Sequence, residues 1–265
     1  MNASVCYRHP DREAYVRCQR CERPICPECQ TEAAVGFLCP DDAGKRPSRS
    51  SVRRIAGGAT PVTTTLVVAN IVIWLLQLIP GSLVTAYLEY VPLATFIQPW
   101  RLVTSAFVHD PSNVLHVGLN MYTVFIFGRI LEPLLGRWRF LALYLISAVG
   151  GSLGVLILAD PTVTVVGAST ACFGLMAAYF VVARKFGANT GQLIGLIAIN
   201  LAFGFLVPGI AWQGHLGGLI AGGLVAYVLT LNTKNRTVQQ VMLAAIGAVV
   251  VILPLAIAYL RGYHY

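Results

Sequence analysis

Carboxylates are nearly missing from most of this 265-residue chain: of eleven acidic residues, only Glu89, Asp110, Glu132 and Asp160 follow residue 60. Each is expected in a loop or at the end of an apolar segment. Transporters tend to carry intramembrane carboxylates and two similar halves with paired broken helices, and neither pattern is found. Charge of either sign is scarce at 11%, against 56% hydrophobic residues, and the mean hydropathy of +0.69 is far too high for an ordinary soluble domain. Cysteine is absent after Cys39 apart from Cys172. No apolar segment precedes residue 60, so no N-terminal signal peptide is expected.

What is present divides in two. Residues 1–44 are polar and hold six of the seven cysteines. Residues 45–61 are basic and rich in Ser, Gly and Pro without apolar periodicity, which predicts a flexible linker. Seven apolar segments follow, at 62–80, 113–135, 138–159, 168–183, 191–207, 212–231 and 238–260, each near the length that crosses about 30 Å of hydrocarbon. Six fall within 62–232, and the seventh, with a short tail, occupies 233–265. The segments 168–183 and 191–207 are short and rich in small residues.

Basic residues fix an expected orientation. Five lie in 45–61, and Arg129, Arg137, Arg139, Arg184, Lys185, Lys234 and Arg236 fall in loops on the same side. The other side holds only Arg101 and Arg261. The positive-inside rule then predicts a cell-membrane protein with a cytoplasmic N-terminus and an extracytoplasmic C-terminus. On this reading the net charge of +8 reports topology and attraction to anionic lipid, and no nucleic-acid partner is expected.

In the head, ligand-type residues pair as Cys6-x2-His9, Cys18-x2-Cys21, Cys26-x2-Cys29 and Cys39-x2-Asp42. Two-residue spacing lets both members of a pair reach one tetrahedral zinc, and four pairs would fill two sites. Disulfides are the alternative, disfavoured in a reducing cytoplasm. The pattern resembles B-box-type zinc fingers, in which alternate pairs share a metal. That resemblance implies Cys6, His9, Cys26 and Cys29 at one site, and Cys18, Cys21, Cys39 and Asp42 at the other. Asp42 departs from the usual Cys or His. Seven acids balance the head's arginines, which argues against a DNA-binding finger and for a protein partner or a regulatory role.

Within the body, Ser169 is unusual. Fifteen residues separate it from Arg184, about 22 Å of helix, so it lies below the membrane surface. Upstream, "DPTVTVV" favours extended backbone, which membrane depth tolerates only where it is packed in protein or lines a wet cavity. Gly167 allows close approach at the turn into the helix. The bland alternative for Gly167, Ala168, Ser169 and Gly174 is small-residue helix packing.

His215, about 28 Å of helix from Lys234, falls at similar depth, and an ionisable side chain inside a span is a functional candidate. Gly214, Gly217, Gly218 and Gly222 form a groove that admits another helix, met by Gly174 and Ala177. A serine hydroxyl becomes a useful nucleophile when an imidazole takes its proton. His116 and Asn120 share a helix face at i and i+4 and could stabilise an oxyanion; interhelical hydrogen bonding alone would also account for them. Cys172 reads as buried packing.

These residues resemble the rhomboid family of intramembrane serine proteases over residues 62 to about 232. The motifs are His116-x3-Asn120, Gly167-x-Ser169 and His215 followed by Gly217-Gly218, together with Trp100-Arg101 and Gly128-Arg129-x2-Glu132. The resemblance implies an all-α, polytopic fold of six core helices plus one, with Ser169 as nucleophile and His215 as base. His116, Asn120 and the Ser169 N–H would form an oxyanion hole, and Trp100-Arg101 and Arg129/Glu132 would be structural. Thr170 stands where the family often has Gly, and Phe173 where Tyr is frequent. Catalysis would need no cofactor, and the substrates would be transmembrane proteins in the lipid bilayer. A catalytically inactive relative that binds membrane helices is the rival reading, although such relatives usually lack the serine or the histidine.

Overall fold

The computed structural model describes residues 4–18, 21–32, 37–43, 59–185, 188–231 and 236–263. The chain divides into two compact units, Met1–Gly58 and Ala59–Tyr265. Most of the expected linker, residues 45–58, lies outside the described residues.

The head is built from three two-residue antiparallel pairs. Strand β1 (Ser4–Val5) pairs with β2 (Glu13–Ala14), β3 (Val16–Arg17) with β4 (Pro24–Ile25), and β5 (Thr31–Glu32) with β6 (Phe37–Leu38). A single 3-10 turn covers Pro27–Cys29, and a one-turn helix α1 covers Pro40–Ala43. Its buried core consists of Cys6, Cys18, Cys26, Cys29 and Cys39 with only Ala14 and Ile25 among them. So small an apolar core cannot offset the ordering of the chain by itself.

The body is helical. Proline at the first position opens α2 (Pro61–Gln77), where a missing N–H costs nothing. Two short helices, α3 (Val84–Leu88) and α4 (Arg101–Thr104), follow in the long connection to α5 (Val114–Leu135). Then come α6 (Arg137–Leu158), α7 (Ser169–Lys185), α8 (Gly191–Leu206), α9 (Trp212–Thr230) and α10 (Arg236–Leu260). All seven expected apolar segments are helices. By length and composition α5, α6 and Thr237–Leu260 of α10 suffice to cross a membrane, while α2 and α8 are shorter apolar helices.

Helix α7 is the most enclosed: eleven of its seventeen residues, Thr170 to Ala178, Val182 and Ala183 among them, are buried. It packs on α9 and α6, and α9 packs on both. Glycines set these contacts. A Cβ on Gly218 would lie 2.0 Å from the Thr170 carbonyl, and one on Gly222 would lie 2.3 Å from Gly174 Cα, both on α7. One on Gly217 would lie 2.3 Å from the Gly150 carbonyl on α6. The glycine groove of α9 therefore serves two helices, and Gly150, Gly151 and Gly154 of α6, which the sequence analysis did not single out, complete it. In lipid, where helices gain nothing by hiding from water, such backbone proximity is the main source of attraction.

Glu132, expected in a loop or at a span end, lies in the last turn of α5 and is buried. Its carboxylate accepts from the backbone N–H groups of Val62 (3.0 Å) and Thr63 (2.8 Å) and from the Thr63 hydroxyl (2.7 Å). These are the unpaired donors of the first turn of α2, so Glu132 fastens α2 to α5. Gly128 lets Thr63 come close enough, since a Cβ there would lie 2.4 Å from Thr63 Oγ1.

Adjacent glycines on α9 separate close packing from helix propensity. A Cβ on Gly223 would meet only Ala177 Cβ at 3.8 Å, an ordinary contact. Gly222→Ala should destabilise the detergent-solubilised protein by about 1–3 kcal/mol through overpacking, whereas Gly223→Ala should be neutral or slightly stabilising. Thermal unfolding of the two variants checks this; equal behaviour would show that the α7–α9 spacing is not set by the glycine.

Candidate active site and metal-ligand clusters

Ser169 is the first residue of α7, and the segment before it is extended as expected. Tyr90 and Val165 exchange both backbone hydrogen bonds at 2.9 Å in an antiparallel bridge. Gly167 then turns the chain with φ +120°, a conformation that L side chains rarely adopt, and its N–H donates to the Ser105 carbonyl at 2.9 Å. A side chain there would also collide with the site, because its Cβ would lie 2.7 Å from His116 Nε2 and 3.8 Å from Ser169 Oγ.

Across the α7–α9 contact, His215 Nε2 lies 3.0 Å from Ser169 Oγ. The imidazole is buried, and its face stacks on Phe173 with ring centroids 4.4 Å apart and planes at 17°. Its Nδ1 has no hydrogen-bond partner among the described residues. Orientation of the ring thus comes from stacking and from the backbone of α9, with no carboxylate behind it.

His116 sits on the far side of Gly167. Its Nδ1 accepts the Asp110 N–H at 3.3 Å, so the neutral ring carries its proton on Nε2, the atom that faces Gly167. Asn120 is placed differently. Its Nδ2 donates to the His116 carbonyl one turn back at 2.8 Å, and its Oδ1 lies 3.5 Å from Cys172 Sγ. The structure thus gathers Ser169, His215 and His116 around Gly167, while one amide N–H of Asn120 is committed to its own helix. The backbone N–H of Ser169 has no acceptor among the described residues.

Sequence reasoning missed His109. It is fully buried beside His116, with ring centroids 5.1 Å apart, and its Nε2 accepts the Ala168 N–H at 3.4 Å. Gln77 clamps its backbone, accepting the His109 N–H at 3.0 Å and donating to its carbonyl at 2.7 Å. The available signal was an ionisable residue seven positions before His116 in a segment otherwise read only as loop. Arg101 is equally structural: buried, it donates to the Glu89 carbonyl at 2.7 Å, to the Ala86 carbonyl at 2.6 Å and to the Gln98 side chain. The Trp100 indole N–H donates to the Tyr87 carbonyl at 3.2 Å.

In the head, Cys6, His9, Cys26 and Cys29 form one group and Cys18, Cys21, Cys39 and Asp42 another, each with ligand atoms within 4.8 Å of one another. A tetrahedral ion with metal–sulfur bonds near 2.3 Å separates its sulfurs by about 3.8 Å and a sulfur from a nitrogen or oxygen by about 3.5 Å. The observed spacings match. His9 Nδ1 lies 3.9, 3.4 and 3.3 Å from the sulfurs of Cys6, Cys26 and Cys29. Cys21 and Cys39 sulfurs are 3.7 Å apart, and Asp42 Oδ2 lies 3.4 and 3.3 Å from those of Cys18 and Cys39. All seven cysteines are free of disulfides.

Electrostatics mark the same clusters. Burial, and then the neighbouring sulfurs of Cys26 and Cys6, push the Cys29 thiol up to about 11. Burial and Asp42 do the same to Cys39, also to about 11. At Cys6 burial pushes upward too, but hydrogen bonding from the backbone of Cys26, Arg8 and His9 outweighs it and brings the thiol down to about 6. Crowded sulfurs that resist ionising together are what a bound dication relieves. Arg23 supports the second cluster from outside, its Nε donating to Cys21 Sγ at 3.2 Å while its guanidinium lies 4.2 Å from the Tyr7 ring centroid. These residues could hold two metal ions.

Residues 97–232, just over half of the chain, match the Rhomboid domain family. RHOMBOID-like protein 6, mitochondrial, of Arabidopsis thaliana is 34% identical over 146 residues, covering 52% of this chain and 46% of that protein. Rhomboid protease GluP of Bacillus subtilis (strain 168) is 33% identical over 175 residues, or 62% of this chain and 32% of that protein. The same organism's putative rhomboid protease YdcA is 28% identical over 185 residues, 66% of this chain and 92% of that protein. This chain thus spans less than half the length of the first two. With the matched region enclosing α5 to α9 and the residues gathered around Gly167, the chain belongs to the rhomboid family of multi-pass membrane proteins.

Proposed function

We propose that this protein is an intramembrane serine endopeptidase that hydrolyses peptide bonds in or near transmembrane segments of other membrane proteins, with Ser169 and His215 as a catalytic dyad. The observation that carries this reading is the 3.0 Å contact between Ser169 Oγ and His215 Nε2, made between two helices and 46 residues apart in sequence. Relatives named as rhomboid proteases support it.

In this mechanism His215 Nε2 takes the hydroxyl proton as Ser169 Oγ attacks the scissile carbonyl. The resulting oxyanion is held by the Ser169 N–H, the His116 Nε2–H and the remaining amide N–H of Asn120. The imidazolium then gives its proton to the departing amine, leaving an acyl-enzyme. Water, deprotonated by the same nitrogen, hydrolyses it and restores the serine. The helix bundle over 62–232 is the catalytic core in this reading, 233–265 is an added helix, and the termini follow the expected orientation, cytoplasmic at the N-terminus.

We propose further that the head, residues 1–44, is a B-box-like module that binds two zinc ions as structural ligands' centres and presents a surface to a protein partner, with residues 45–61 as linker. Zinc in a closed site of this kind supplies folding energy, which a core made of cysteines needs.

Ser169→Ala and His215→Ala should each abolish both cleavage of a model transmembrane substrate and labelling by a fluorophosphonate probe, while thermal unfolding shows an intact fold. The double variant should lose little more than either single one. Undiminished turnover in either variant would sink the dyad, and a wild-type protein that neither cleaves nor labels would favour the inactive helix-binding relative. Asn120→Ala should lower kcat on the order of tenfold to a thousandfold; a raised KM alone would make Asn120 structural.

For the head, metal analysis of the whole protein should find two zinc ions. A chelator should strip the site containing Asp42 first, and Asp42→Cys should tighten that site because closed zinc sites favour thiolate. Arg23→Ala should weaken it by roughly tenfold to a hundredfold. Full protein without bound metal and with an unchanged head fold would overturn the zinc reading.

A further inference from the structure

The observation left unused by the dyad and the head lies where α5 ends and α6 begins. A cavity of about 430 Å³ opens between this corner and the first turns of α10, lined by Arg137, Arg139 and Trp138 with Leu135, Ala142 and Leu243. Arg137 is exposed and Arg139 half-buried, and neither pairs with a carboxylate among the described residues. Arg139 reaches only the neutral side-chain oxygen of Gln239, at 3.5 Å. Trp138 is 81% exposed. All four carboxylates of the body lie elsewhere: Glu132 is committed to α2, and Glu89, Asp110 and Asp160 belong to other connections.

We propose that this cavity binds one phospholipid with an anionic headgroup, its phosphate held by Arg137 and Arg139 and one acyl chain laid along Leu135, Ala142 and Leu243. Charge complementarity selects the anion: two guanidiniums lining one cavity offer planar donors to phosphate oxygens, with no carboxylate in its lining among the described residues. The apolar wall selects a lipid over a free ion, because inorganic phosphate would leave Leu135, Ala142 and Leu243 uncovered. Depth agrees as well. The corner is a helix turn at the rim of the bundle, the level at which headgroups lie and at which an exposed tryptophan settles. Arg184 and Lys185, the C-terminal charges of α7 at the same end of the bundle, do not line the cavity. Because α6 and α10 form opposite walls, the bound lipid also bridges the added helix to the core.

Native mass spectrometry of the detergent-solubilised protein, titrated with phosphatidylglycerol or phosphatidylcholine, tests this. The wild-type protein should retain one phosphatidylglycerol and no phosphatidylcholine. Arg137→Gln/Arg139→Gln should weaken retention roughly thirtyfold, from about 1 kcal/mol per basic residue near an anionic surface. Arg184→Gln/Lys185→Gln, which removes the same charge from the same end, should leave it nearly unchanged. Equal loss in that control pair would reduce the effect to bulk surface charge and overturn the site. Competition by millimolar inorganic phosphate would show a free-anion site and overturn the lipid as occupant. Arg139 also touches Gln239, so the double variant could misfold; Arg137→Gln alone, which leaves that contact intact, then decides. Unchanged retention in Arg137→Gln would overturn the proposal, and several-fold loss restored by Arg137→Lys would support it.

Discussion

Everything near Ser169 depends on how closely three helix backbones approach. Helix α9 touches α7 through Gly218 and Gly222 and α6 through Gly217, with no room for a single methyl group at any of these positions. Membrane helices are not pressed together by water, so close van der Waals contact and a few interhelical hydrogen bonds must do it. The 3.0 Å distance between Ser169 and His215 is a by-product of that seam. Were the seam wider by one methyl layer, the two groups would belong to separate helices with nothing between them.

The connecting segments then hold the serine's surroundings still. The strand-like stretch before α7 is pinned by Tyr90 on one side and Ser105 on the other, and His109 accepts the next backbone N–H along. Those residues are themselves anchored: Gln77 from α2 holds both backbone groups of His109, and Arg101 fastens the long α2–α5 connection to its own carbonyls. Backbone polar groups away from water must find partners, and here that need builds a frame around Gly167. His116 gains its tautomer from the same frame, through the Asp110 N–H.

The head obeys a different rule. It replaces an apolar core with sulfur, leaving clusters whose members repel one another when ionised. On our proposal its order is tied to a cation in a way the body's is not. On our proposals the two units also differ in chemistry, one using metal to fold and the other using packing to activate a hydroxyl.

Much of this was legible from residues alone, for identifiable reasons. The seven helices followed from apolar run length, the extended entry to α7 from Asp160-Pro161 and the β-branched residues after it, and the four ligand pairs of the head from two-residue spacing, while their grouping into two clusters came from the resemblance to B-box fingers. Each depends on near neighbours in sequence, so periodicity and spacing report it. Four things came only from the tertiary structure. The glycines of α6 matter because Gly217 lies against them, Glu132 because α2 begins beside it, His109 because Ala168 crosses its ring, and Asn120 turns toward the His116 carbonyl and Cys172 rather than standing clear. Except for Asn120, whose acceptor lies one turn back on its own helix, the deciding partner is many residues away, and a local pattern carries no record of which distant backbone will arrive. The sequence by itself determined which side chains have chemistry to offer; the packing of α6, α7 and α9 decided which of them meet.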